Sequence, residues 1–373
     1  MPKKKKTDIQ DLADQIENKK PKKEKEEIWF SSGIDILNMS LSDHHDRAFI
    51  GGSIVNIAGH KQTGKTQLDL MILAKAIHSG IDYDFIYDDA EAALNFDISG
   101  NFGSLTKEKL EIKSIDDPNN PCSKTVEDLE RNLLRQINKG KPFIYAMDSL
   151  DCLPSDAEVK RHNDKKYLEG KEIESSYNME RAKLLGTTFK LVNKAIKETN
   201  SLFIINSQAR DNIGFGRTKD TRSGGRAIDF YISYLIWLKV KKTIKEKDLK
   251  IGKNIQFSIT KNRNKSQYFE KVGGKLRDGE FIVLDEIGID NVGTNCQYLT
   301  ENGYWKKEGK KYSINDFDDP TTQRGKECGK IRFAHVIPKW IEEWGYEEKL
   351  KQICYNEWIK IEESVMQYRK PNF

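Results

Sequence analysis

The sequence predicts an α/β fold with a mostly parallel, twisted sheet covered by helices, and two observations carry this prediction. Between residues 28 and 290, five apolar runs alternate with segments of helical periodicity. The first of these runs leads directly into a glycine-rich turn, GHKQTGKT at 59–66, which precedes an apolar helical segment. A strand, a glycine-rich turn and a helix in this order are typical of a sheet whose strands are parallel.

The five apolar runs are the predicted strands. They are SIVNIA at 53–58, DFIYDD at 84–89, PFIYAMD at 142–148, SLFIINS at 201–207 and SYLIWLKV at 233–240. Helices are predicted for segments that separate them, namely QLDLMILAKAIHSG, TVEDLERNLLRQINKG and MERAKLLGTTFKLVNKAIKE. Such helices can connect parallel strands and cover the faces of the sheet.

Composition divides the chain into three predicted parts. Residues 1–27 hold nine lysines and seven acidic residues, which is typical of a solvated extension. The apolar residues of this extension, at 9, 12, 13 and 16, have the spacing of a short docking helix, which makes it a candidate polymerisation segment. Residues 28–290 form the predicted core. Residues 291–373 combine short strands and turns with four of the six tryptophans, which predicts a small C-terminal α+β domain with an aromatic core.

Charge and hydropathy exclude several classes of protein. The net charge is only +5, from 63 basic and 58 acidic residues, which permits a polyanionic partner without requiring one. No apolar run is long enough to span a bilayer, and the basic N-terminus MPKKKKTDIQ lacks the apolar stretch of a secretory signal. We therefore expect no membrane partner and a protein that stays in the compartment where it is made.

Cysteine and histidine spacing predicts neither a disulfide framework nor a metal cluster. The cysteines are scattered and form no C-x-x-C pair, so we expect reduced thiols. They are Cys122, Cys152, Cys296, Cys328 and Cys354. The adjacent His44 and His45 lie between Asp43 and Asp46, but neighbouring side chains point in different directions, which favours a solvated loop over a metal site.

The segment from Gly59 to Thr66 fits the phosphate-binding pattern G-x-x-x-x-G-K-[ST]. Its position between a strand and a helix favours a nucleotide site over an ordinary glycine-rich turn. We expect backbone N–H groups of residues 63–66 to surround a β-phosphate, the Lys65 ammonium to neutralise β and γ oxygens, and the Thr66 hydroxyl to bind Mg²⁺. The predicted nucleotide-binding residues are Gly59, His60, Lys61, Gln62, Thr63, Gly64, Lys65, Thr66, Gln67 and Asp148.

Polar side chains follow three other predicted strands. Asp148 ends PFIYAMD, which is the position of a carboxylate that holds the water shell of Mg²⁺, although a helix cap is an alternative. Glu91 follows DFIYDD and is a candidate general base, but the spacing does not separate it from Asp88 and Asp89. Gln208 follows SLFIINS and is suited to sensing a γ-phosphate or orienting water. All strand tips of this kind open onto one crevice.

Two polar segments that follow strand tips are candidate nucleic-acid-binding loops. The stretch after Gln208 is glycine-rich and basic, as expected of a loop that binds a nucleic-acid backbone, although a surface loop without that role is the alternative. Its predicted DNA-binding residues are Arg210, Arg217, Lys219, Arg222, Gly224, Gly225 and Arg226. Residues 154–178 form a second polar segment with mixed charges, on the same side of the sheet.

A series of segments resembles the RecA recombinase family, and especially its phage branch, typified by the UvsX recombinases. The series covers roughly residues 30 to 315 and consists of SSGIDILNMSL, GHKQTGKT, FIYDDAEAAL, IYAMDSL, IINSQARDNIGFG, SGGRAIDFY and ITKNRNKS. MERAKLLGTTFKLV and GYWKKEGKKYSINDF are similar to the phage branch in particular. The resemblance implies a RecA-type P-loop ATPase core, with ATP and Mg²⁺ as cofactors.

The resemblance also implies a function, namely an ATP-dependent filament that coats single-stranded DNA, finds a homologous duplex and exchanges strands. Implied partners are single-stranded and double-stranded DNA, further copies of the chain, and single-strand-binding and mediator proteins. The implied location is the cytoplasm, or the host cytoplasm if a phage encodes the chain. A hexameric DNA helicase and a non-catalytic accessory protein are the alternatives.

Residue by residue, the resemblance assigns roles to the positions that match. Lys65 and Thr66 match the phosphate and Mg²⁺ residues, Glu91 the catalytic carboxylate, Asp148 the second metal-associated acid and Gln208 the γ-phosphate sensor. Residues 154–178 and 209–225 match the two DNA-binding loops. Lys261 and Arg263 match cations that reach across the filament interface to a neighbour's ATP.

The chain departs from the family pattern in two places. Ile98 stands where the bacterial and phage proteins usually place a tyrosine that stacks on adenine, so we expect weaker stacking, or stacking by Phe96 or Phe102. The sequence ends MQYRKPNF instead of an acidic tail, so regulation by such a tail is not expected.

Overall fold

The computed structural model describes residues 27–95, 97–162, 177–210, 221–222, 228–263, 278–309, 311–314, 316–317 and 336–365. Its strands are β1 (Trp29–Phe30), β2 (Phe49–Ile50), β3 (Ser53–Gly59), β4 (Asp84–Asp89), β5 (Leu110–Lys113), β6 (Phe143–Asp148), β7 (Leu202–Arg210), β8 (Thr221–Arg222), β9 (Tyr234–Glu246), β10 (Leu249–Asn262), β11 (Gly279–Leu284), β12 (Gly288–Asp290), β13 (Lys306–Glu308) and β14 (Lys311–Ser313). Its helices are α1 (Asp35–Ser42), α2 (Lys65–His78), α3 (Ile98–Phe102), α4 (Ser104–Lys109), α5 (Val126–Lys139), α6 (Asp156–His162), α7 (Tyr177–Thr199), α8 (Asn291–Glu301), α9 (Ile337–Trp344) and α10 (Glu347–Val365). The candidate polymerisation segment lies outside the described residues.

One large sheet organises the described residues, in the strand order β12-β11-β10-β9-β3-β7-β6-β4-β5, with β8 paired to β7. The six strands from β9 to β5 run parallel, whereas β10, β11 and β12 extend the sheet by antiparallel pairing. The prediction of an α/β fold with a mostly parallel sheet is confirmed. The last predicted strand is longer than expected, because β9 continues as a hairpin with β10.

Helices cover both faces of the sheet because the buried side chains of its strands alternate between them. Ile54 packs into the cluster that buries the apolar faces of α5 and α7. Val55 and Ile57 pack into the cluster on the other face, which includes α1, α2 and the C-terminal helices. Helix α5 starts where Thr125 and Asp128 form a capping box, as its sequence TVED suggests.

The C-terminal residues pack onto the second of these clusters. Trp305, Trp340 and Trp358 are buried in it. The Asp35 carboxylate of α1 accepts hydrogen bonds from the side chains of Asn291 (2.9 Å) and Asn295 (2.7 Å), which connects α1 to α8. The aromatic core of these residues is thus continuous with that of the sheet, and a domain boundary at residue 290 stays a prediction.

The turn that contains His44 and His45 lies at the surface, where the His45 ring stands 5.1 Å from that of Tyr355. Among the described residues, no group of three or more histidine, cysteine, aspartate or glutamate side chains is arranged to hold a metal ion. Cys122, Cys152, Cys296 and Cys354 carry free thiols. None of the described helices is both long enough and apolar enough to cross a membrane.

Candidate active site

The carboxyl ends of the parallel strands meet at one edge of the sheet and place the predicted site residues there. Gly59 at the end of β3 is in register with Gln208 in β7, and Asp89 at the end of β4 is in register with Asp148 at the end of β6. A cleft of about 490 Å³ opens at this edge. It is lined by Lys61, Gln62, Thr63, Gly64, Lys65, Thr66, Gln67, Glu91, Ala93, Gln208, Lys253, Ile255, Val283 and Asp285.

The glycine-rich turn closes tightly between β3 and α2. A Cβ atom on Gly59 would lie 2.6 Å from the Leu238 carbonyl oxygen and 2.7 Å from Thr63 Oγ1, so only glycine fits there. Gly64 has a φ of +82°, which glycine adopts without strain, and helix α2 begins at the next residue. The first N–H groups of α2 have no partner within the helix and carry partial positive charge, which suits them to bind an anion.

The Lys65 side chain folds back over this turn. Its ammonium donates hydrogen bonds to the carbonyl oxygens of Gly59 (3.0 Å) and His60 (2.9 Å). Burial lowers the pKa of Lys65, while the carboxylates of Asp148 and Glu91 oppose that shift. A positive charge is therefore held at the position where the pattern expects phosphate oxygens.

Thr66 and Asp148 lie together, as a shared Mg²⁺ site requires. The Thr66 hydroxyl donates to Asp148 Oδ2 over 2.6 Å. Tyr87 donates its hydroxyl proton to the same oxygen, also over 2.6 Å, and the Asn206 amide donates to Asp148 Oδ1 over 3.1 Å. These contacts orient the Asp148 carboxylate. Because Mg²⁺ prefers oxygen ligands, the Thr66 hydroxyl and the Asp148 carboxylate fit this cation.

The structure separates the three acids that the sequence left as alternatives for the general base. Asp88 is buried and accepts hydrogen bonds from the Ser123 N–H (2.9 Å), the Ser123 hydroxyl (2.6 Å) and the Tyr145 hydroxyl. Asp89 accepts from the N–H groups of Ala93 (3.1 Å) and Leu94 (3.2 Å). Glu91 is the member of the three that lines the cleft, which makes it the candidate base.

Gln208 connects the cleft to the glycine-rich, basic candidate loop that follows it in the chain. Its side-chain amide donates a hydrogen bond to Glu91 Oε1, and its backbone N–H donates to Asp151 Oδ2 over 2.7 Å. Strand β7 ends two residues later, at Arg210. Both bonds hold Gln208 at the position that the sequence predicts for a γ-phosphate sensor.

Two of the residues expected to bear on adenine stacking, Ile98 and Phe102, are described and do not line the cleft. Ile98, at the start of α3, is only 7% exposed and packs in the hydrophobic core. Phe102 packs against the same core and does not line the cleft, so nothing in this arrangement supports stacking by Phe102, and Phe96 lies outside the described residues. The apolar side chains of the cleft wall come instead from Ile255 and Val283.

Sequence reasoning missed this wall, which consists of Lys253 and Ile255 of β10 and Val283 and Asp285 at the end of β11. No local motif marks these residues. They reach the cleft only because β9, β10 and β11 pair in succession beside β3.

Asp69 in helix α2 was also missed, although an aspartate within the apolar stretch LDLMIL is a visible break in the pattern. It is fully buried, and its carboxyl accepts a hydrogen bond from the Asn206 amide over 2.6 Å. Burial, and next the negative charge of Asp148, raise the pKa of Asp69 well above its ordinary value of 3.8. The folded state therefore retains a proton that the unfolded chain releases.

Replacing Asp69 by asparagine is expected to stabilise the protein at pH 8. Because the folded pKa is raised, the free energy of unfolding of the wild type falls as pH rises above 3.8 toward that folded pKa. The neutral amide of asparagine does not titrate, so the variant does not lose free energy of unfolding in this way. We therefore expect the unfolding midpoint of the variant to exceed that of the wild type by roughly 2–4 °C at pH 8, and this difference in midpoint to shrink toward pH 4. Calorimetry across this range tests it, with the exposed Asp116→Asn as control. A difference that stays constant with pH contradicts the prediction.

The predicted DNA-binding cations are described only in part. Arg222 in β8 has a 7% exposed side chain that pairs with Asp229, so in this arrangement its guanidinium is held within the protein. Arg210 ends β7. The remaining predicted residues of this set, Arg217, Lys219, Gly224, Gly225 and Arg226, lie outside the described residues. Of the other candidate loop, at 154–178, residues 154–162 are described and include helix α6.

Lys261 and Arg263 lie at the opposite edge of the sheet from the cleft. The Lys261 ammonium donates to the carbonyl oxygen of Asp229, and the Arg263 guanidinium donates to that of Phe230. Along β10, Lys261 is six residues beyond Ile255, the nearest residue of this strand that lines the cleft, which corresponds to roughly 20 Å at the rise of an extended strand. Neither cation can therefore act on the cleft of its own subunit.

Comparison with known proteins identifies the family of the chain. A family model described as the RecA N-terminal domain matches residues 22–276. Protein RecA of Acidothermus cellulolyticus is 27% identical over 302 residues, which cover 81% of this chain and 77% of that protein. Protein RecA of Clostridioides difficile is 28% identical over 292 residues, covering 77% and 75% respectively. Protein RecA of Ectopseudomonas oleovorans is 28% identical over 265 residues, covering 70% and 68%. With the family model matching more than half of its length, this chain belongs to the RecA family.

Proposed function

We propose that this RecA-family chain is an ATP-dependent DNA recombinase that assembles on single-stranded DNA, pairs it with a homologous duplex and exchanges strands. The observation that carries this proposal is the hydrogen bond between Gln208 and Glu91. It joins the carboxylate in the cleft to the end of β7, from which the basic loop leaves. A change at the γ-phosphate that moves Gln208 is therefore passed to the DNA-binding loop.

The cleft residues have distinct roles in ATP hydrolysis under this proposal. Lys65 neutralises phosphate oxygens, and Thr66 and Asp148 hold Mg²⁺, which when bound offsets the negative charge of the phosphates. Glu91 takes the proton of the attacking water, and the Gln208 amide keeps the Glu91 carboxylate oriented toward it. The apolar side chains of Ile255 and Val283 contribute a dry wall for the nucleoside.

Assembly completes the site. The position of Lys261 and Arg263 at the far edge of the sheet supports a head-to-tail filament, in which they would reach the cleft of the next subunit. Cations supplied by a neighbour stabilise charge that develops on the phosphoryl group during transfer. Hydrolysis is thereby tied to filament formation, and release of the γ-phosphate weakens the hold on DNA.

Within the family, we propose a place in the phage branch beside the UvsX recombinases. The segments MERAKLLGTTFKLV and GYWKKEGKKYSINDF support this placement. The proposal includes single-strand-binding and mediator proteins as partners, and the cytoplasm of the cell or of the infected host as the location.

Electron microscopy with single-stranded DNA, Mg²⁺ and a slowly hydrolysed ATP analogue tests the proposed function. We expect extended helical filaments that are absent when nucleotide is left out, because the nucleotide lies between subunits. Strand exchange between a circular single strand and a homologous linear duplex is the second assay. Closed rings would instead indicate a helicase, and isolated subunits on DNA would indicate an accessory protein.

A further inference from the structure

The nucleotide cleft contains a cation that the roles described so far do not use. Lys253 of β10 lines the cleft together with the phosphate-binding turn. Its ammonium donates hydrogen bonds to the backbone oxygen of Gln62 over 3.1 Å and to Gln62 Oε1 over 2.9 Å. Gln62 is three residues before Lys65 in the turn, so a positive charge lies directly beside the predicted position of the phosphates.

The environment of Lys253 favours an anionic ligand. An ammonium has three N–H donors, and two of them bond to Gln62, so one remains for a ligand. Burial, and next the nearby Lys250 ammonium, lower the pKa of Lys253, while the Asp285 carboxylate opposes that shift. A phosphate group would offset the unfavourable contributions of both burial and like charge.

Lys253 and the pair Lys261 and Arg263 are thus separated along β10 and the residue that follows it. Lys253 faces the cleft of its own subunit, whereas Lys261 and Arg263 lie at the opposite edge of the sheet. A subunit that has not yet joined a filament lacks the neighbour's pair, but it always has Lys253.

We propose that Lys253 is a nucleotide-binding residue that contacts the phosphate chain of ATP within its own subunit, as a second cation beside Lys65. It allows an isolated subunit to hold ATP before assembly supplies the neighbour's cations. This inference rests on the proposed function in one respect, since it takes ATP as the ligand of the cleft.

Equilibrium binding of an ATP carrying a fluorescent N-methylanthraniloyl group, measured on isolated subunits without DNA, tests the inference. Lys253→Ala is expected to raise the Kd about tenfold, the typical loss for a hydrogen bond to a charged group. Lys253→Gln keeps most of the side-chain length without the charge and is expected to lose affinity similarly, whereas Lys253→Arg should retain most of it. The control is Lys190→Ala, which removes an exposed lysine of helix α7 that does not line the cleft and should bind as the wild type does.

The salt dependence of binding distinguishes a direct contact from bracing of the turn. If the Lys253 ammonium contacts the phosphate chain, the ratio of the Kd of Lys253→Ala to that of the wild type falls as the salt concentration rises, because salt screens the attraction between charges. An unchanged ratio, together with wild-type affinity in Lys253→Gln, would overturn the proposal, because Lys253 would then act only through its hydrogen bonds to Gln62.

A Kd for Lys253→Ala within about twofold of the wild type would also overturn it. A different result would contradict the proposed function, namely a wild-type protein that does not bind ATP or does not hydrolyse ATP in the presence of DNA. Wild-type binding and turnover together with unchanged binding by Lys253→Ala would reject only the role of Lys253.

Discussion

Replacing Glu91 by glutamine is expected to lower DNA-stimulated ATP turnover by about 10²–10⁴-fold, the usual contribution of a general base. The amide oxygen can still accept the hydrogen bond from Gln208, so the geometry of the cleft is kept while the ability to take a proton is lost. Steady-state phosphate release with saturating single-stranded DNA measures the effect. Nucleotide affinity should change little, because Lys65, Thr66 and Asp148 are unaltered.

The same variant separates catalysis from assembly. Filaments of Glu91→Gln should form with ATP itself and persist, because the hydrolysis that weakens the grip on DNA is slowed. The control is Glu108→Gln, an exposed glutamate of helix α4 that is remote from the cleft residues. Turnover by Glu91→Gln close to that of the wild type would assign the base to another residue.

Replacing Lys261 and Arg263 together by alanine is expected to reduce DNA-stimulated turnover by about 10³-fold or more, as for other cations supplied across an interface to a phosphoryl-transfer site. Nucleotide binding by isolated subunits should be kept, because Lys261 lies roughly 20 Å along β10 from Ile255, the nearest residue of that strand that lines the cleft of the same subunit. Turnover and binding are measured on the same preparation. Lys194→Ala, which removes an exposed lysine, is the control.

Mixing experiments distinguish action on a neighbour from a structural role. Lys261 and Arg263 also bond to the carbonyl oxygens of Asp229 and Phe230, so their loss could disturb that segment alone. A Lys65→Ala subunit has a defective cleft but an intact pair of cations. If the pair acts on a neighbour, mixed filaments of the two variants recover part of the lost turnover. Failure to recover any would contradict action across the interface.

Several parts of the site could be predicted from the sequence because they depend on neighbours in the chain. The turn from Gly59 to Thr66 needs glycine at defined positions and is flanked by its own strand and helix, so the pattern locates it. Asp148 and Gln208 follow apolar runs, and the ends of parallel strands converge on one edge of the sheet. The fold class therefore predicts that Asp148 and Gln208 lie close to the turn.

The choice among Asp88, Asp89 and Glu91 could not be made from the sequence. All three follow the same strand, and only the direction of each side chain separates them. Asp88 points to Ser123 and Tyr145, Asp89 caps the following N–H groups, and Glu91 lines the cleft. Such directions depend on residues far away in the chain, since Ser123 is 35 residues from Asp88.

By itself, the sequence determined the α/β class, the phosphate-binding turn and the strand ends that carry Asp148 and Gln208, because periodicity and short motifs are local properties. The tertiary structure alone decided that Lys253 and Ile255 close the cleft, since these residues approach the turn only through successive strand pairing beside β3. It also decided that Ile98 belongs to the core and that Lys261 lies at the far edge of the sheet. The physical reason is that burial and distance between residues remote in sequence are set by how whole strands and helices pack, which no local pattern records.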